Sequence, residues 1–390
     1  MDKIARKIKK IYEITKKFVT VQLLYLCCRK DRLIRVRRGI DMRYYGTLGP
    51  ACADEIILTE MFREGMNGLR LNTSHGCLAD MAGWLEIAGR AAGRAGREWE
   101  LLIDLKGPEL RIGHLGSPLE LKVGSVVRMI APEYVDVGSS TEKQSGRKQV
   151  PIPAPVLDHA CAGQILWLDD SRIKLQIMTV NREKGWLEAE TLQGGLLQSD
   201  KSMAIEGVEI AMPALTDTDL ENIRYAAVRE IGLTAVMQPF VRSRQDLMDV
   251  RKALDDNGCG HVQILAKIEN HSGVQVLPEL LPYCDMVVIA RGDLGTAVSL
   301  PQLPVVQKKI EAICHQAGKP YMVVTQMLDS MMHSPVPTRA EVSDIAHAVF
   351  CGADALMLTG ETAAGRYPVE AMRYLVETAK TAEKYVQTLM

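Results

Sequence analysis

The sequence predicts an α/β protein: a (β/α)8 TIM barrel with an inserted all-β lid domain after strand 3 and a basic helical extension at its amino terminus. Eight strand-like apolar runs alternate with amphipathic segments from residue 43 onward, which is the pattern of a closed parallel barrel. Between residues 113 and 211 short alternating runs punctuated by Gly and Pro replace that rhythm. Residues 1–42 are rich in Lys and Arg. We therefore predict a barrel of residues 43–112 and 212–390.

Each predicted barrel strand is followed by a segment of helical periodicity. The predicted strands are Arg43–Leu48, Gly68–Asn72, Leu101–Lys106, Gly232–Gln238, Val262–Glu269, Met286–Asp293, Pro320–Gln326 and Ala355–Glu361. The predicted helices cover residues 54–65, 78–95, 217–230, 243–256, 304–317, 339–351 and 368–387, with a few further turns over His271–Leu281.

The insertion is predicted to be a β-barrel or sandwich. Its strand candidates are Leu119–Val127, Gln164–Leu168, Arg172–Met178 and Trp186–Thr191. In a TIM barrel the loops after the strands build the active face, so an insertion after strand 3 is placed where a lid can act. The alternative is an added domain without a role in catalysis.

Composition excludes several classes of function. The net charge is −1 over 390 residues, so no global field favours nucleic acid or a membrane. Residues 1–43 alone carry 14 Lys and Arg against 4 Asp and Glu. Residues 1–30 have helical periodicity, which predicts a helix that packs on the barrel or on a second subunit; a helix for a membrane surface or an acidic partner is the alternative.

The longest apolar run, Phe18–Cys28, is too short to span a bilayer, and no signal peptide is expected. The nine cysteines have no zinc or disulfide spacing, which is typical of reduced thiols in a cytoplasmic protein.

Charged and polar residues stand at the carboxyl ends of six predicted strands. They are Arg70, Asn72, Ser74 and His75 on strand two, Asp104, Lys106 and Arg111 on strand three, Lys267 and Glu269 on strand five, Arg291 and Asp293 on strand six, Thr325 and Gln326 on strand seven, and Thr359 and Glu361 on strand eight. Any one of them could be a solvated side chain or a cap. Their convergence on one face of a barrel favours a site.

Lys267, Glu269 and Asp293 are the most informative of these residues. Lys267 and Glu269 are two apart and point to the same side of a strand. A lysine beside two carboxylates suits a divalent metal and a phosphoryl or enolate oxygen. A buried ion pair with a helix cap is the alternative, and these residues alone do not choose between the two.

Other residues supply complementary chemistry. Asn72, Ser74 and Asp104 offer oxygens that could hold a monovalent cation, and Arg70 can offset phosphoryl charge. The helix start at Arg291–Gly295 can present backbone N–H groups to a carboxylate. The hydroxyl of Thr325 could pass a proton through water to a substrate carbon. Together they describe an anionic substrate with a carboxylate and a phosphate.

Eight segments together resemble the pyruvate kinase family. They are Thr47–Ala51, Arg70–Gly76, Asp104–Arg111, Ala266–Asn270, Ala290–Gly295, Thr325–Met331, Pro337–Glu341 and Leu358–Thr362. The resemblance covers residues 43–390, including Asp169 and Asp170 in the insertion. It implies transfer of phosphoryl from phosphoenolpyruvate to ADP, giving pyruvate and ATP, in a homo-oligomer that requires Mg²⁺ (or Mn²⁺) and K⁺.

The resemblance also implies residue roles. Glu269 and Asp293 would bind Mg²⁺, and Lys267 would stabilise the phosphoryl group in transit. Potassium would be bound by Asn72, Ser74, Asp104 and the Leu105 carbonyl. Substrate and nucleotide would be bound by Arg70, Arg111, Lys201, Pro50, His75, Ala290, Arg291 and Gly292. Thr325 would protonate the enolate, with Thr359 and Glu361 in the proton relay. At the position of Glu109, the family members that do not depend on potassium resemble one another because they have Lys.

Several positions depart from the family pattern, mostly on the nucleotide side. They are Cys77–Met81 after the His-Gly pair, Ser202–Ala204 after the lid lysine, Pro239 for a serine, Ala297 for a glutamate and Leu105 for a threonine. The family's carboxy-terminal domain is not included in the sequence, so its effector control is expected to be absent. The alternatives are an Mg²⁺-dependent enolate enzyme with another substrate, such as a β-keto acid or another phosphoryl acceptor, and a non-catalytic binding or regulatory protein on this fold.

Overall fold

A computed structural model describes residues 42–132, 149–169, 172–208, 210 and 212–388. The predicted amino-terminal helix and Asp170 lie outside the described residues. The strands are β1 (Arg43–Thr47), β2 (Gly68–Asn72), β3 (Glu100–Asp104), β4 (Leu119–Leu121), β5 (Val126–Ile130), β6 (Gln149–Pro151), β7 (Ile165–Leu168), β8 (Ile173–Asn181), β9 (Trp186–Gln193), β10 (Gly195–Leu197), β11 (Met203–Ile205), β12 (Leu233–Gln238), β13 (Gln263–Ile268), β14 (Met286–Ala290), β15 (Tyr321–Val324) and β16 (Ala355–Met357).

The α-helices are α1 (Glu55–Glu64), α2 (Ala82–Ala95), α3 (Ala154–His159), α4 (Asp217–Arg229), α5 (Arg244–Asp256), α6 (His271–Leu280), α7 (Arg291–Ala297), α8 (Leu303–Ala317), α9 (Arg339–Phe350), α10 (Gly360–Ala363) and α11 (Pro368–Thr388). No helix among the described residues is long and apolar enough to cross a bilayer. The seven described cysteines form no disulfide.

Eight of the strands close into a barrel in the order β1, β16, β15, β14, β13, β12, β3, β2, which confirms the predicted fold class. Its pairs are parallel, as in β12–β13 and β13–β14. Strands such as β14 and β15 are buried at every residue, because a parallel sheet covered by helices has no solvent face. Three of the barrel helices begin at capping boxes, which are formed at Thr216, Ser243 and Thr338.

The inserted segment forms β-structure, as predicted; its strand pairs are antiparallel except for β5 and β6, which pair in parallel. One sheet has the order β11, β7, β8, β9, β5, β6, and β4 pairs with β10. Buried and half-buried residues alternate along β9, because only one face of such a sheet packs on a core. That core contains buried apolar residues from Ile112 to Ile210. The predicted single strand Leu119–Val127 is wrong: residues 122–125 turn and separate β4 from β5.

Two predicted barrel strands are too long. Strand six was predicted to reach Asp293 and strand eight to reach Glu361, but β14 ends at Ala290 and β16 at Met357. Helices α7 and α10 begin at Arg291 and Gly360. The polar residues of these two segments therefore lie on the first turn of a helix, because the backbone leaves the sheet at the barrel rim.

The chain divides into two compact units by its internal contacts. One contains residues up to Arg70, Gly83–Glu100 and Pro320 onward, and the other contains Leu71–Ala82 and Leu101–Lys319. The predicted site residues fall in both units. The domain boundaries at residues 42, 112 and 212 stay a prediction.

Candidate active site

A buried cluster of charge lies at the ends of β3 and β13. The Lys267 ammonium is 3.2 Å from each carboxylate oxygen of Asp104 and 2.9 Å from Oε1 of Glu269. The side chain of Lys267 is 12 % exposed and that of Glu269 fully buried. The alternative of a buried ion pair between Lys267 and Glu269 is therefore present at the barrel rim, and the metal site stays a prediction.

Glu269 is held by one backbone donor. Its Oε2 accepts a hydrogen bond of 2.8 Å from the Phe240 N–H. Its Oε1 is buried and accepts no hydrogen bond from the described residues, so the 2.9 Å contact with Lys267 is an ion pair without hydrogen-bond geometry. A buried carboxylate oxygen that lacks a hydrogen-bond donor is a suitable ligand for a hard cation.

Burial raises the pKa of Glu269 to about 8, although the neighbouring Lys267 lowers it; the charges of Asp293 and Asp104 raise it further. No group of three or more His, Cys, Asp or Glu side chains suited to a metal occurs among the described residues. Two carboxylates fit Mg²⁺ nonetheless, because this ion usually keeps several water or substrate oxygens.

The raised pKa predicts how stability depends on pH without a metal. The folded protein holds the Glu269 proton to about pH 8, whereas an ordinary glutamate releases it near 4.5. Stability from this group is therefore present below pH 4.5 and lost as pH rises through 8. We expect the unfolding free energy, measured by urea titration with a chelator, to fall over this window relative to that of Glu269→Gln. A constant difference between the two proteins would contradict the prediction.

The two segments that carry the predicted potassium ligands meet beside this cluster. The Thr73 hydroxyl donates to the Asp104 carbonyl over 2.8 Å, which fixes the turn after β2 against the end of β3. In that turn Asn72 Oδ1 accepts from the Ser74 N–H at 3.1 Å. Asp104 and Leu105 are both buried. The donor set consists of oxygens only, which fits a hard monovalent cation. The His75 side chain lies outside the described part of the structure.

The loop after β3 is held by a residue that the sequence interpretation missed. Asp219, on the first turn of α4, accepts from the backbone N–H groups of Lys106 at 2.7 Å and Gly107 at 3.1 Å. Asp219 is fully buried and also completes the capping box with Thr216. The Thr-x-x-Asp spacing signals the cap, but no sequence signal indicates the second role.

Arg111 and Lys201 lie on neighbouring segments. Arg111 and Ser202 form an antiparallel bridge, and the Ile112 N–H donates to the Lys201 carbonyl. Arg111 is ion-paired with Glu109 at 2.6 Å, and Lys201 with Asp169 at 2.8 Å. These two cations therefore have acidic partners, which a phosphate would have to displace.

The predicted carboxylate-binding segment begins α7. Ala290 caps this helix with an extended backbone, and Arg291, Gly292 and Asp293 form its first turn. The Thr296 hydroxyl donates to the Asp293 carbonyl at 2.7 Å. Asp293, whose charge raises the pKa of Glu269, therefore lies at the start of a helix and not at the end of a strand.

The remaining predicted residues belong to the other compact unit. The Arg70 guanidinium donates to the Thr47 hydroxyl at 3.1 Å, and that hydroxyl donates to the Leu358 carbonyl at 2.9 Å. Thr362, which the sequence interpretation did not assign, exchanges hydrogen bonds with the Thr47 backbone. Pro50 is exposed in the following turn.

Thr325, Thr359 and Glu361 stand after β15 and β16. Glu361 is buried and accepts from the Leu328 N–H, the Thr359 N–H and the Thr359 hydroxyl. Thr325 and Gln326 have φ of +77° and +53°. A β-branched residue at positive φ is strained, and such strain occurs often at functional sites.

Comparison with known proteins places the chain. The family model described as "Pyruvate kinase, barrel domain" matches residues 41–372. The chain is 37 % identical over 342 residues to "Pyruvate kinase" of Geobacillus stearothermophilus, covering 87 % of this chain and 57 % of the relative. It is 35 % identical over 341 residues to "Pyruvate kinase" of Clostridium acetobutylicum (87 % and 70 %), and 34 % over 340 residues to that of Bacillus licheniformis (87 % and 56 %).

The chain spans just over half the length of the Geobacillus and Bacillus relatives. The match nevertheless covers the barrel strands, the inserted β-structure and the Lys267 cluster. With the closed barrel and the order of its strand-end residues, this identifies the chain as a member of the pyruvate kinase family.

Proposed function

We propose that this chain transfers the phosphoryl group of phosphoenolpyruvate to ADP, giving pyruvate and ATP. The observation that carries the proposal is the buried Lys267 ammonium between Asp104 and Glu269, with Asp293 close enough to act on Glu269. Phosphoryl transfer is catalysed mainly by position and by offsetting charge, and this cluster supplies both.

The chain's own residues divide the reaction between them. The Lys267 ammonium offsets charge on the phosphoryl oxygens as the bond to the enol oxygen breaks and the bond to the ADP phosphate forms. Glu269 and Asp293 would hold Mg²⁺, which when bound supplies further positive charge to those oxygens. The backbone at Ala290, Arg291 and Gly292 would bind the substrate carboxylate, and Arg70, Arg111 and Lys201 the phosphates.

The enolate left by transfer takes a proton at its methylene carbon to become pyruvate. We assign this delivery to Thr325, with Thr359 and Glu361 in the relay behind it. The hydrogen bond from the Thr359 hydroxyl to Glu361, 3.2 Å long, supports a connected path for the proton. The strained backbone of Thr325 supports a functional demand on its position.

The proposal is tested by turnover with a panel of nucleoside diphosphates. Folded protein is given phosphoenolpyruvate, Mg²⁺ and K⁺, and pyruvate is followed through a coupled dehydrogenase. Pyruvate formation that requires a diphosphate is the expected result. No pyruvate with any diphosphate would reject the proposal, and retained binding of phosphoenolpyruvate in that case would favour a binding protein on this fold.

A second candidate is an enolate reaction without a nucleotide, such as decarboxylation of oxaloacetate. The pairing of Lys201 with Asp169 and of Arg111 with Glu109 favours it, because both cations are engaged by protein carboxylates. Loss of oxaloacetate that needs no nucleotide and disappears in Lys267→Ala would support this candidate.

Potassium is expected to be required. The ligand set of Asn72, Ser74, Asp104 and Leu105 consists of oxygens, and Glu109, which accepts from Arg111 at 2.9 Å, supplies no ammonium in place of the ion. We expect replacement of K⁺ by tetramethylammonium at constant ionic strength to lower turnover on the order of 10²-fold, since one fixed charge is lost. Equal turnover in the two salts would contradict this.

A further inference from the structure

Gln238 is a buried amide at the end of β12, and nothing described above uses it. Its side-chain N–H groups donate to the Ala214 carbonyl at 2.8 Å and to the Pro239 carbonyl at 3.2 Å. The residue is 1 % exposed, and its Oε1 accepts no hydrogen bond from the described residues. A buried unsatisfied oxygen is costly, so packing alone does not account for this side chain.

The amide of Gln238 holds a turn that acts on Glu269. The turn passes from Pro239 to Phe240, which has a φ of +51°, a conformation that is costly for a side chain of this size. It presents the Phe240 N–H to Oε2 of Glu269 at 2.8 Å. Because this is the only hydrogen bond described for that carboxylate, the turn sets the orientation of Glu269.

The turn is also fixed from the side of β3. Gly107 has a φ of +59°, and a Cβ placed on it would lie 2.4 Å from Cγ of Pro239. The Gly107 N–H is bound by Asp219, five residues after the Ala214 whose carbonyl Gln238 holds. Residues 214–219 therefore anchor both the loop after β3 and the turn after β12.

We infer that Gln238 is a positioning residue for the metal site: its amide holds the Pro239–Phe240 turn so that Phe240 orients Glu269 with Oε1 directed to the cation. The inference rests on the proposed function, because Glu269 is a proposed ligand. The amide would act through two intervening contacts and would not touch the metal. Partners that orient a metal ligand typically affect affinity by 10–100-fold when removed.

The test measures the binding of Mn²⁺ alone, without substrate. The electron paramagnetic resonance signal of free Mn²⁺ reports how much of the ion is bound. Gln238→Met keeps the length of the side chain and removes both hydrogen bonds. Its matched control is Gln307→Met, because Gln307 is also a buried glutamine and donates to Glu311 at 2.9 Å on helix α8. We expect Gln238→Met to weaken Mn²⁺ binding about tenfold and Gln307→Met to leave it unchanged.

A second pair of variants tests the inference in the event that Gln238→Met fails to fold. Gly107→Ala presses a Cβ on Pro239, whereas Gly258→Ala imposes the same backbone cost at a φ of +73° with no neighbour within 4 Å. We expect weaker Mn²⁺ binding only in Gly107→Ala. Equal binding within either pair would overturn the role of the turn. Absence of Mn²⁺ binding in the parent protein would instead reject the proposed function, and the positioning role with it.

Discussion

Lys267→Met is expected to lower kcat for phosphoryl transfer by about 10³-fold, because removal of one group that stabilises transition-state charge in a buried site has an effect of that order. The methionine is similar in length but carries no charge. The measurement is steady-state turnover at saturating phosphoenolpyruvate, nucleotide and Mg²⁺. A substitution that weakened binding of the substrate and of the transition state equally would raise KM and leave kcat unchanged. A fall in kcat therefore indicates that Lys267 acts on the phosphoryl group during its transfer.

The same substitution should also lower stability. The Lys267 ammonium is the cation beside Asp104 and Glu269, which are both buried. Removal of one partner of the buried Lys267–Asp104 ion pair costs about 3–5 kcal/mol. The matched control is Lys308→Met, because Lys308 pairs with the buried Glu311 at 2.7 Å on α8. A comparable kcat in the Lys267 and Lys308 variants would exclude Lys267 from the chemistry.

Glu269→Gln is expected to weaken Mg²⁺ binding at least about 100-fold, the upper range for loss of a partner that only orients a ligand. The amide keeps the shape of the carboxylate but has no charge, and its oxygen can still accept from Phe240. Titration calorimetry with Mg²⁺ and with Mn²⁺ measures the change directly, without any assay of turnover.

Glu311→Gln is the control for that experiment. Glu311 is also buried and has two side-chain partners, Gln307 and Lys308, so the same chemical change is made in a comparable environment. We expect Mg²⁺ affinity to stay at the parent value in Glu311→Gln. If Glu269→Gln bound Mg²⁺ as tightly as the parent, Glu269 would be a structural ion-pair partner and not a ligand.

Much of the fold could be predicted from the sequence because each barrel strand is locally encoded. A run such as Met286–Ala290 is apolar at every position and is followed by a helical segment, and this pattern recurs around the barrel. Strand ends were less accurate. Arg291 follows its apolar run directly, and Gly360 is compatible with a strand end as well as with a helix start, so local sequence does not show that the backbone turns into a helix at these two places.

The charged residues of the candidate site were predicted from the sequence, but the residues that hold them in place were not. Lys267 and Glu269 stand out because charge at the end of an apolar strand is unusual. Gln238 stands at the end of a strand in the same way, but an amide has no charge to mark it. The donor to Glu269 is the backbone N–H of Phe240, which every residue type except proline possesses, so no side-chain pattern could point to it.

The sequence by itself determined that this chain is a barrel of the pyruvate kinase family, and it predicted Lys267, Glu269 and Asp293 as the central charged residues of the site. Apolar periodicity and the order of charged strand ends are local properties that the chain carries without folding. Only the tertiary structure decided that Lys267 is shared between Asp104 and Glu269, since those residues are 163 and 2 positions away. It also raised the pKa of Glu269, because that shift depends on burial, and burial exists only in the packed barrel.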